Sequence, residues 1–253
     1  MIGIVGGVGP YAGLDLARKV FDNTIARSDQ EHLPLVLLSE PGSIPDRTAF
    51  LLGEERNHPG PSLAEIVLKL ESVGATVVGI PCNTAHAPEI WQVMQKNLRA
   101  WGSRVAILHM IEETVRFIVS RFPETRRVGV LSTFGTWRTE LYPNALARLG
   151  LEAVVPDEEL ARKVHAAIYD VQFGIKAFSN PVTQQAREEV VQAIRRLKSQ
   201  GAEVVILGCT ELPLAVPEQE IAGCPLIDPT NVLARALIHA VAPEKLVPLA
   251  ENK

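Results

Sequence analysis

The sequence predicts an α/β protein with two similar parallel-sheet lobes and the active site in the cleft between them. Three observations lead to this fold class. Short β-branched runs alternate with amphipathic helical segments along the chain, a pattern typical of parallel sheets covered by helices. The order of elements in residues 2–82 recurs loosely in residues 127–209. Each of these stretches ends in a cysteine directly after a predicted strand.

The cysteines indicate how the lobes are arranged. Residues 1–103 together with 214–253 form the predicted first lobe, which carries Cys82. Residues 104–213 form the predicted second lobe, which carries Cys209. Ligands bind open α/β sheets beyond the carboxyl ends of the strands. We therefore expect one site with a sulfur on each side.

Composition excludes several classes of protein. A net charge of −4 argues against a nucleic-acid or anionic-membrane surface. Three cysteines in 253 residues favour free thiols in a reducing compartment over a disulfide framework. No apolar run approaches the ~20 residues that span a bilayer, and the first residues predict a strand rather than a signal peptide. We expect a cytoplasmic protein with no nucleic-acid or membrane partner.

The first half of the chain opens with a strand at residues 2–5 and the glycine turn of residues 6–10. A helix then begins near Tyr11, and its first N–H groups, including the turn at Gly9, suit a carboxylate or phosphate. A plain tight turn fits equally well, and no acidic residue follows at the spacing of a dinucleotide site. The other predicted elements here are strands at 34–38, 75–80 and 104–108 and helices at 61–74 and 87–100.

The second half repeats the alternation after a helix opened by Glu112. The strand at 127–131 ends in the hydroxyl-rich turn 132–136, a second candidate anion cradle. The remaining predicted elements are helices at 137–149, 157–169, 184–199 and 230–240 and strands at 151–155, 202–207 and 225–227.

One arginine stands in the loop after the second strand, residues 39–48. The Arg47 guanidinium could clamp a carboxylate through two parallel hydrogen bonds. Spacing alone favours the alternative of a surface arginine paired with Asp46 or Glu40.

The cysteines themselves suit acid/base chemistry better than metal binding. Cys82 and Cys209 are far apart with no C-x-x-C, and the six histidines show no paired spacing, so no metal is expected. Cys224 has no polar companions and is expected to be a small buried hydrophobe. Core packing would explain either of the other cysteines alone. Their matched C-x-T and C-T settings favour a pair that removes a proton from one face of a carbon and returns one on the other, which inverts the centre.

Seven short motifs occur in one order over nearly the whole chain: G-I-V-G-G-V-G-P, D-Q-E-H, I-P-D-R-T, P-C-N-T-A-H, M-I-E-E-T, G-C-T-E-L and L-I-D-P. In this the chain resembles the aspartate/glutamate racemase superfamily, and within it the aspartate racemase branch. The resemblance implies a homodimeric racemase that acts on an amino acid without pyridoxal phosphate, metal or other cofactor.

The resemblance also implies roles for individual residues. Cys82 and Cys209 would be the two acid/base residues, and Arg47 would meet the side-chain carboxylate of an acidic substrate. Lys176 is carried over from a K-A-G segment that here is K-A-F, with Phe178 in place of the glycine. The α-carboxylate and amino group would be held by Asn83, Thr84, Thr133, Thr136 and Thr210. Gly9, from the glycine turn described above, completes the predicted substrate-binding residues.

Substrate identity depends on the charges around the site. Glu40, a departure from the family pattern like His109, would repel an acidic side chain if it faced the pocket, or would pair with Arg47 or Lys176. Two cations against one carboxylate predict aspartate as substrate, then glutamate. The alternatives are a maleate-isomerase-like enzyme with one nucleophilic cysteine and a non-catalytic amino-acid-binding protein. The two thiols argue against a single-cysteine decarboxylase.

Overall fold

The structure, a computed structural model, describes residues 1–249, and its strands and helices alternate through most of that length. The strands of this part of the chain are β1 (Ile2–Gly6), β2 (Leu35–Ser39), β3 (Val77–Gly79), β4 (Ala106–Ile107), β5 (Arg127–Ser132), β6 (Glu152–Val154), β7 (Val204–Gly208), β8 (Glu220–Ile221) and β9 (Cys224–Ile227). The α-helices are α1 (Pro10–Asp22), α2 (Arg47–Leu52), α3 (Pro59–Ser72), α4 (Pro88–Ala100), α5 (Met110–Arg121), α6 (Phe134–Arg138), α7 (Leu141–Ala147), α8 (Glu158–Tyr169), α9 (Gln184–Ser199), α10 (Leu212–Ala215) and α11 (Pro229–Val241).

The strands form two sheets, which confirms the predicted α/β class. The first has the order β2-β1-β3-β4 and the second β6-β5-β7-β9-β8. Every pairing within them is parallel except that of β8 with β9, which is antiparallel. Each cysteine of interest follows an interior strand, since β3 lies between β1 and β4 and β7 lies between β5 and β9.

Both sheets are covered on both faces, which explains their continuous apolar strands. In the first sheet β1 is buried along its whole length, with α3 packed on one face and α1 and α11 on the other. In the second sheet β7 is buried along its whole length, with α8 and α9 on one face and α5 and α7 on the other.

The sheets divide the chain differently from the predicted lobes at two places. Residues 106–107 lie in the first sheet, because β4 pairs with β3, although we predicted 104–213 as the second lobe. Residues 220–227 lie in the second sheet, because β9 pairs with β7, although we predicted 214–253 as part of the first lobe. The last four residues of that predicted lobe lie outside the described part. The lobe boundaries otherwise stay a prediction.

Two local predictions are wrong. The predicted loop at 39–48 ends in helix α2, whose first turn is capped by Asp46, the side chain of which accepts a hydrogen bond from the Ala49 amide. The predicted helix at 137–149 is two helices, α6 and α7, because Glu140 between them adopts the left-handed conformation with φ of 50°. Within residues 1–249 no helix is both long and apolar enough to cross a membrane.

Candidate active site

Cys82 and Cys209 line the same narrow cavity. Each follows the carboxyl end of an interior strand, and only 7% and 6% of their respective surfaces are exposed. The free volume, about 10 Å³, is close to what one water molecule needs. The cavity wall consists of Val8, Arg47, Thr48, Cys82, Asn83, Thr84, Thr133, Tyr169, Lys176, Cys209, Thr210 and Glu211.

A larger cavity of about 350 Å³ adjoins this site. The two cavities share three charged residues, Arg47, Lys176 and Glu211. Gly9 lines only the larger cavity. The shared residues therefore form the boundary between an outer pocket and the two thiols.

Arg47 lies beside Cys82 and is buried, with 6% of its surface exposed. Its Nη2 donates to the Val8 carbonyl oxygen at 2.9 Å, and Nη1 donates to that of Pro45 at 3.3 Å. Burial opposes the charge, but nearby Cys82 and Asp46 together hold the pKa of Arg47 above its usual value. The Nε–H is buried without an acceptor among the described residues. The prediction of a surface ion pair is thus wrong, because the start of α2 turns Arg47 inward.

Cys209 faces a carboxylate instead of a cation. Its thiol donates to Oε2 of Glu211 at a distance of 2.9 Å. Burial and the charge of Glu211 raise the pKa of Cys209 well above its usual value, and Lys176 offsets this only in part. Cys209 is therefore held as the protonated thiol.

The carboxylate beside Cys209 is neutralised by Lys176. The Lys176 Nζ donates to Oε1 of Glu211 at 2.9 Å, and the Thr210 hydroxyl donates to Oε2 at 3.2 Å. Burial alone would raise the pKa of Glu211, but Lys176 and the Cys209 thiol hold it below its usual value. Glu211 therefore stays anionic although only 4% of its surface is exposed.

Four threonine hydroxyls connect the two sides of the cavity. Thr48 donates to Thr133 at 3.2 Å and Thr133 donates to Thr136 at 3.1 Å. Thr136 and Thr84 share a hydrogen bond of 2.9 Å. Thr84 and Thr133 line the cysteine cavity, whereas Thr136 lies behind them and lines a separate small cavity. Of the predicted hydroxyls, Thr136 therefore reaches the thiols only through its neighbours.

Asn83 lines the cysteine cavity, whereas Gly9 lines the outer pocket. The Asn83 Oδ1 accepts a hydrogen bond of 2.5 Å from the Tyr142 hydroxyl, and its Nδ2 is buried with no acceptor in the described structure. Gly9 has a φ of 131°, and a Cβ atom there would lie 2.6 Å from Oε1 of Glu211. Gly9 therefore leaves room for a carboxylate.

Sequence reasoning missed Glu211, Tyr169, Thr48 and Val8 in the cavity wall. The Tyr169 hydroxyl donates to Oδ2 of Asp46 at 3.1 Å, and the Lys176 Nζ lies 5.0 Å from the centre of the Tyr169 ring. Glu211 was present in the G-C-T-E-L motif, but no sequence signal shows that its side chain turns back onto the preceding cysteine.

Two residues that depart from the family pattern lie outside the cysteine cavity. Glu40 binds Lys69 at 2.7 Å, so the expectation that it faces the pocket or pairs with Arg47 or Lys176 is wrong. His109 is the residue that caps the start of α5, and it packs edge-on against His86, with 4.8 Å between ring centres. Within the described residues no three His, Cys, Asp or Glu side chains form a group that could hold a metal ion.

Comparison with known proteins points to one enzyme family. A family model described as Asp/Glu/Hydantoin racemase matches residues 5–237. The broad specificity amino-acid racemase RacX of Bacillus subtilis is 27% identical over 246 residues, which cover 94% of this chain and 96% of that protein.

Two solved structures are similar over nearly their whole length. An aspartate racemase from Picrophilus torridus superimposes with a TM-score of 0.77 at 28% identity, covering 94% of this chain and 93% of that one. An aspartate racemase homologue from Pyrococcus horikoshii gives a TM-score of 0.71 at 27% identity, covering 94% and 97%. Because the family model spans most of the sequence, the chain belongs to the Asp/Glu/hydantoin racemase family.

Proposed function

We propose that this protein is a cofactor-independent amino-acid racemase in which Cys82 and Cys209 are the acid/base pair. One observation carries the proposal: the two thiols share a cavity but have opposite electrostatic surroundings. Cys82 lies near the charged guanidinium of Arg47 in the cavity wall, whereas the Cys209 thiol is hydrogen-bonded to the Glu211 carboxylate. A racemase needs one base and one acid at the same time, and the opposite surroundings of the two thiols support this division of roles.

The proposed reaction moves a proton across the α-carbon. Cys82, as a thiolate opposite Arg47, removes the α-proton from one face, and the electron pair stays on the substrate as a carbanion. Cys209 then gives its own proton to the other face and becomes the thiolate. In the reverse direction the two cysteines exchange roles, and neither forms a covalent bond to the substrate.

The cavity also offers donors for the substrate carboxylate. The Asn83 Nδ2 and the Arg47 Nε are both buried without acceptors among the described residues. Donors fixed in a water-poor site stabilise the negative charge that develops on the substrate as the α-proton leaves. Because the present free volume is only about 10 Å³, the two sides must separate to admit an amino acid from the outer pocket.

For the substrate we propose aspartate, then glutamate. Arg47 and Lys176 lie at the boundary between the outer pocket and the cysteine cavity. Glu40 forms an ion pair with Lys69. The wall is less positive than the sequence predicted, since Glu211 pairs with Lys176 and Asp46 lies near Arg47. The preference for an acidic substrate therefore depends on the donors that remain on the two cations rather than on net charge. The homodimer and the cytoplasmic location stay predictions.

The test is racemisation of L- and D-aspartate in D₂O, with incorporation of deuterium at Cα measured by NMR. Cys82→Ser and Cys209→Ser should each lower racemisation at least about 100-fold, the usual contribution of a positioned acid or base. Cys224→Ser is the matched control, because Cys224 is fully buried and its sulfur lies 3.7 Å from the Glu203 carbonyl oxygen, outside the cavity wall.

The outcomes separate the possible functions. Deuterium at Cα with inversion supports a racemase, and loss of inversion in both serine variants supports the two-thiol mechanism. A serine variant at Cys82 or Cys209 that racemises at the wild-type rate contradicts that mechanism. Wild-type protein that binds aspartate without any exchange is a binding protein. Isomerisation of maleate by an enzyme that leaves aspartate unchanged indicates a nucleophilic cysteine.

A further inference from the structure

Tyr142 connects the two cysteine loops. Among the fully buried side chains of the described residues, that of Tyr142 has the largest volume. Tyr142 lies in α7, which packs on the second sheet. A Cβ atom added to Gly208 would lie 2.9 Å from Cε2 of Tyr142, so the ring is packed against the backbone there. Gly208 directly precedes Cys209.

The other end of the same side chain reaches the Cys82 loop. The Tyr142 hydroxyl donates to Oδ1 of Asn83 at 2.5 Å, and Asn83 directly follows Cys82. These residues are far apart in sequence and follow strands of different sheets, β7 and β3. A single rigid aromatic ring therefore spans from the residue before one thiol to the residue after the other.

The surroundings keep this connection uncharged and well defined. Burial raises the pKa of Tyr142, and the nearby Thr114 hydroxyl offsets this only in part. The hydroxyl is thus a neutral donor at neutral pH. It also orients the Asn83 amide, because the bond to Oδ1 turns Nδ2 away from Tyr142.

We propose that Tyr142 is a positioning residue that sets the separation of the two thiols by holding the Cys82 loop against the Cys209 loop. The inference rests on the two-thiol racemase proposed above. It concerns a residue that does not line the cysteine cavity and that therefore acts only through Asn83 and the backbone before Cys209.

The proposal has a specific chemical consequence. Once Cys82 has removed the α-proton, the carbanion receives a proton either from Cys209, which inverts the centre, or from Cys82 again, which retains it. If the loops move apart, donation by Cys209 slows and return from Cys82 does not. In D₂O the ratio of exchange with retention to inversion should therefore rise.

The experiment compares Tyr142→Phe with wild type on L- and D-aspartate in D₂O. This variant keeps the ring and removes only the bond to Asn83, so it is expected to fold. Misplacement of reacting groups by 1 Å can cost about 100-fold in rate, and we expect kcat to fall about tenfold. At the same time the retention-to-inversion ratio should rise severalfold.

Two further variants separate positioning from general loss of stability. Leu146→Val lies on the same helix and is fully buried in the same cluster, so it should lower the melting temperature and leave the ratio unchanged. In an Asn83→Ala background, Tyr142→Phe should have little further effect on the ratio, because the group through which it acts is gone.

Three results would overturn the proposal. The first is a Tyr142→Phe variant whose kcat and retention-to-inversion ratio equal those of the wild type. The second is a rise of the ratio in Leu146→Val as large as that in Tyr142→Phe. The third is an undiminished effect of Tyr142→Phe on the ratio in the Asn83→Ala background. If the wild type itself does not racemise or exchange any of the amino acids tested, the proposed function fails rather than this inference alone.

Discussion

Replacing Arg47 by alanine tests which part of the substrate this residue recognises. The guanidinium is buried, and two of its nitrogens donate to the carbonyl oxygens of Val8 and Pro45. Its Nε–H has no acceptor among the described residues. If the β-carboxylate of aspartate accepts a hydrogen bond from this Nε–H, Arg47→Ala removes a charge-assisted contact from aspartate and none from alanine.

The expected magnitude follows from that contact. Losing a hydrogen bond to a charged group costs about 1.5–3 kcal/mol, which corresponds to a factor of about 10 to 150 in kcat/KM. Losses from the Val8, Pro45 and Cys82 contacts affect both substrates alike. The ratio of kcat/KM for aspartate to that for alanine should therefore fall by this factor, even if both values fall.

The assay measures kcat/KM for both substrates in wild type, Arg47→Ala and Arg47→Lys. Arg47→Lys keeps the charge but not the fork geometry, so its ratio should lie between the other two. Arg56→Ala, at an exposed position in the loop after α2, is the control for charge alone. Equal losses of kcat/KM for aspartate and alanine in Arg47→Ala would refute the reasoning. Such a result would mean that Arg47 supports Cys82 and the surrounding loop rather than the β-carboxylate.

Two further predictions concern the carboxylate beside Cys209. Gly9→Ala should lower kcat more than tenfold, because its Cβ would lie 2.6 Å from Oε1 of Glu211. The control is Gly53→Ala, which is also at positive φ but faces open space, so it should show only a backbone strain of about 1–3 kcal/mol in urea unfolding. Equal kcat values for the two variants would contradict this prediction. Glu211→Gln should lower the free energy of unfolding by about 3 kcal/mol at pH 7, because it leaves the partly buried Lys176 without its anion. Since the folded-state pKa of Glu211 is depressed, its contribution is complete above the usual value of 4.5 and is lost as the pH falls through the folded value. The difference between Glu211→Gln and wild type in urea unfolding should therefore narrow below pH 4.5, and a constant difference would contradict the assignment.

The sequence by itself determined the fold class and the ends of the strands that carry the thiols. Short β-branched runs and helical periodicity depend on neighbours along the chain, so β7 and α9 lie close to their predicted positions. In a parallel sheet the carboxyl ends of the strands lie at one edge, so Cys82 and Cys209 are each expected at that edge of their own sheet. Local sequence was less informative where a short helix begins inside a loop, as at Arg47.

Only the tertiary structure decided the electrostatic surroundings of each thiol. Spacing alone favoured a surface position for Arg47, which is buried near Cys82, while Glu40 binds the exposed Lys69. Glu211 offsets the charge of Lys176 and, together with burial, keeps the Cys209 thiol protonated. The physical reason is that charge pairing and burial depend on which way each side chain turns and on partners such as Lys176 and Glu211, which lie 35 positions apart in sequence. No local pattern records either.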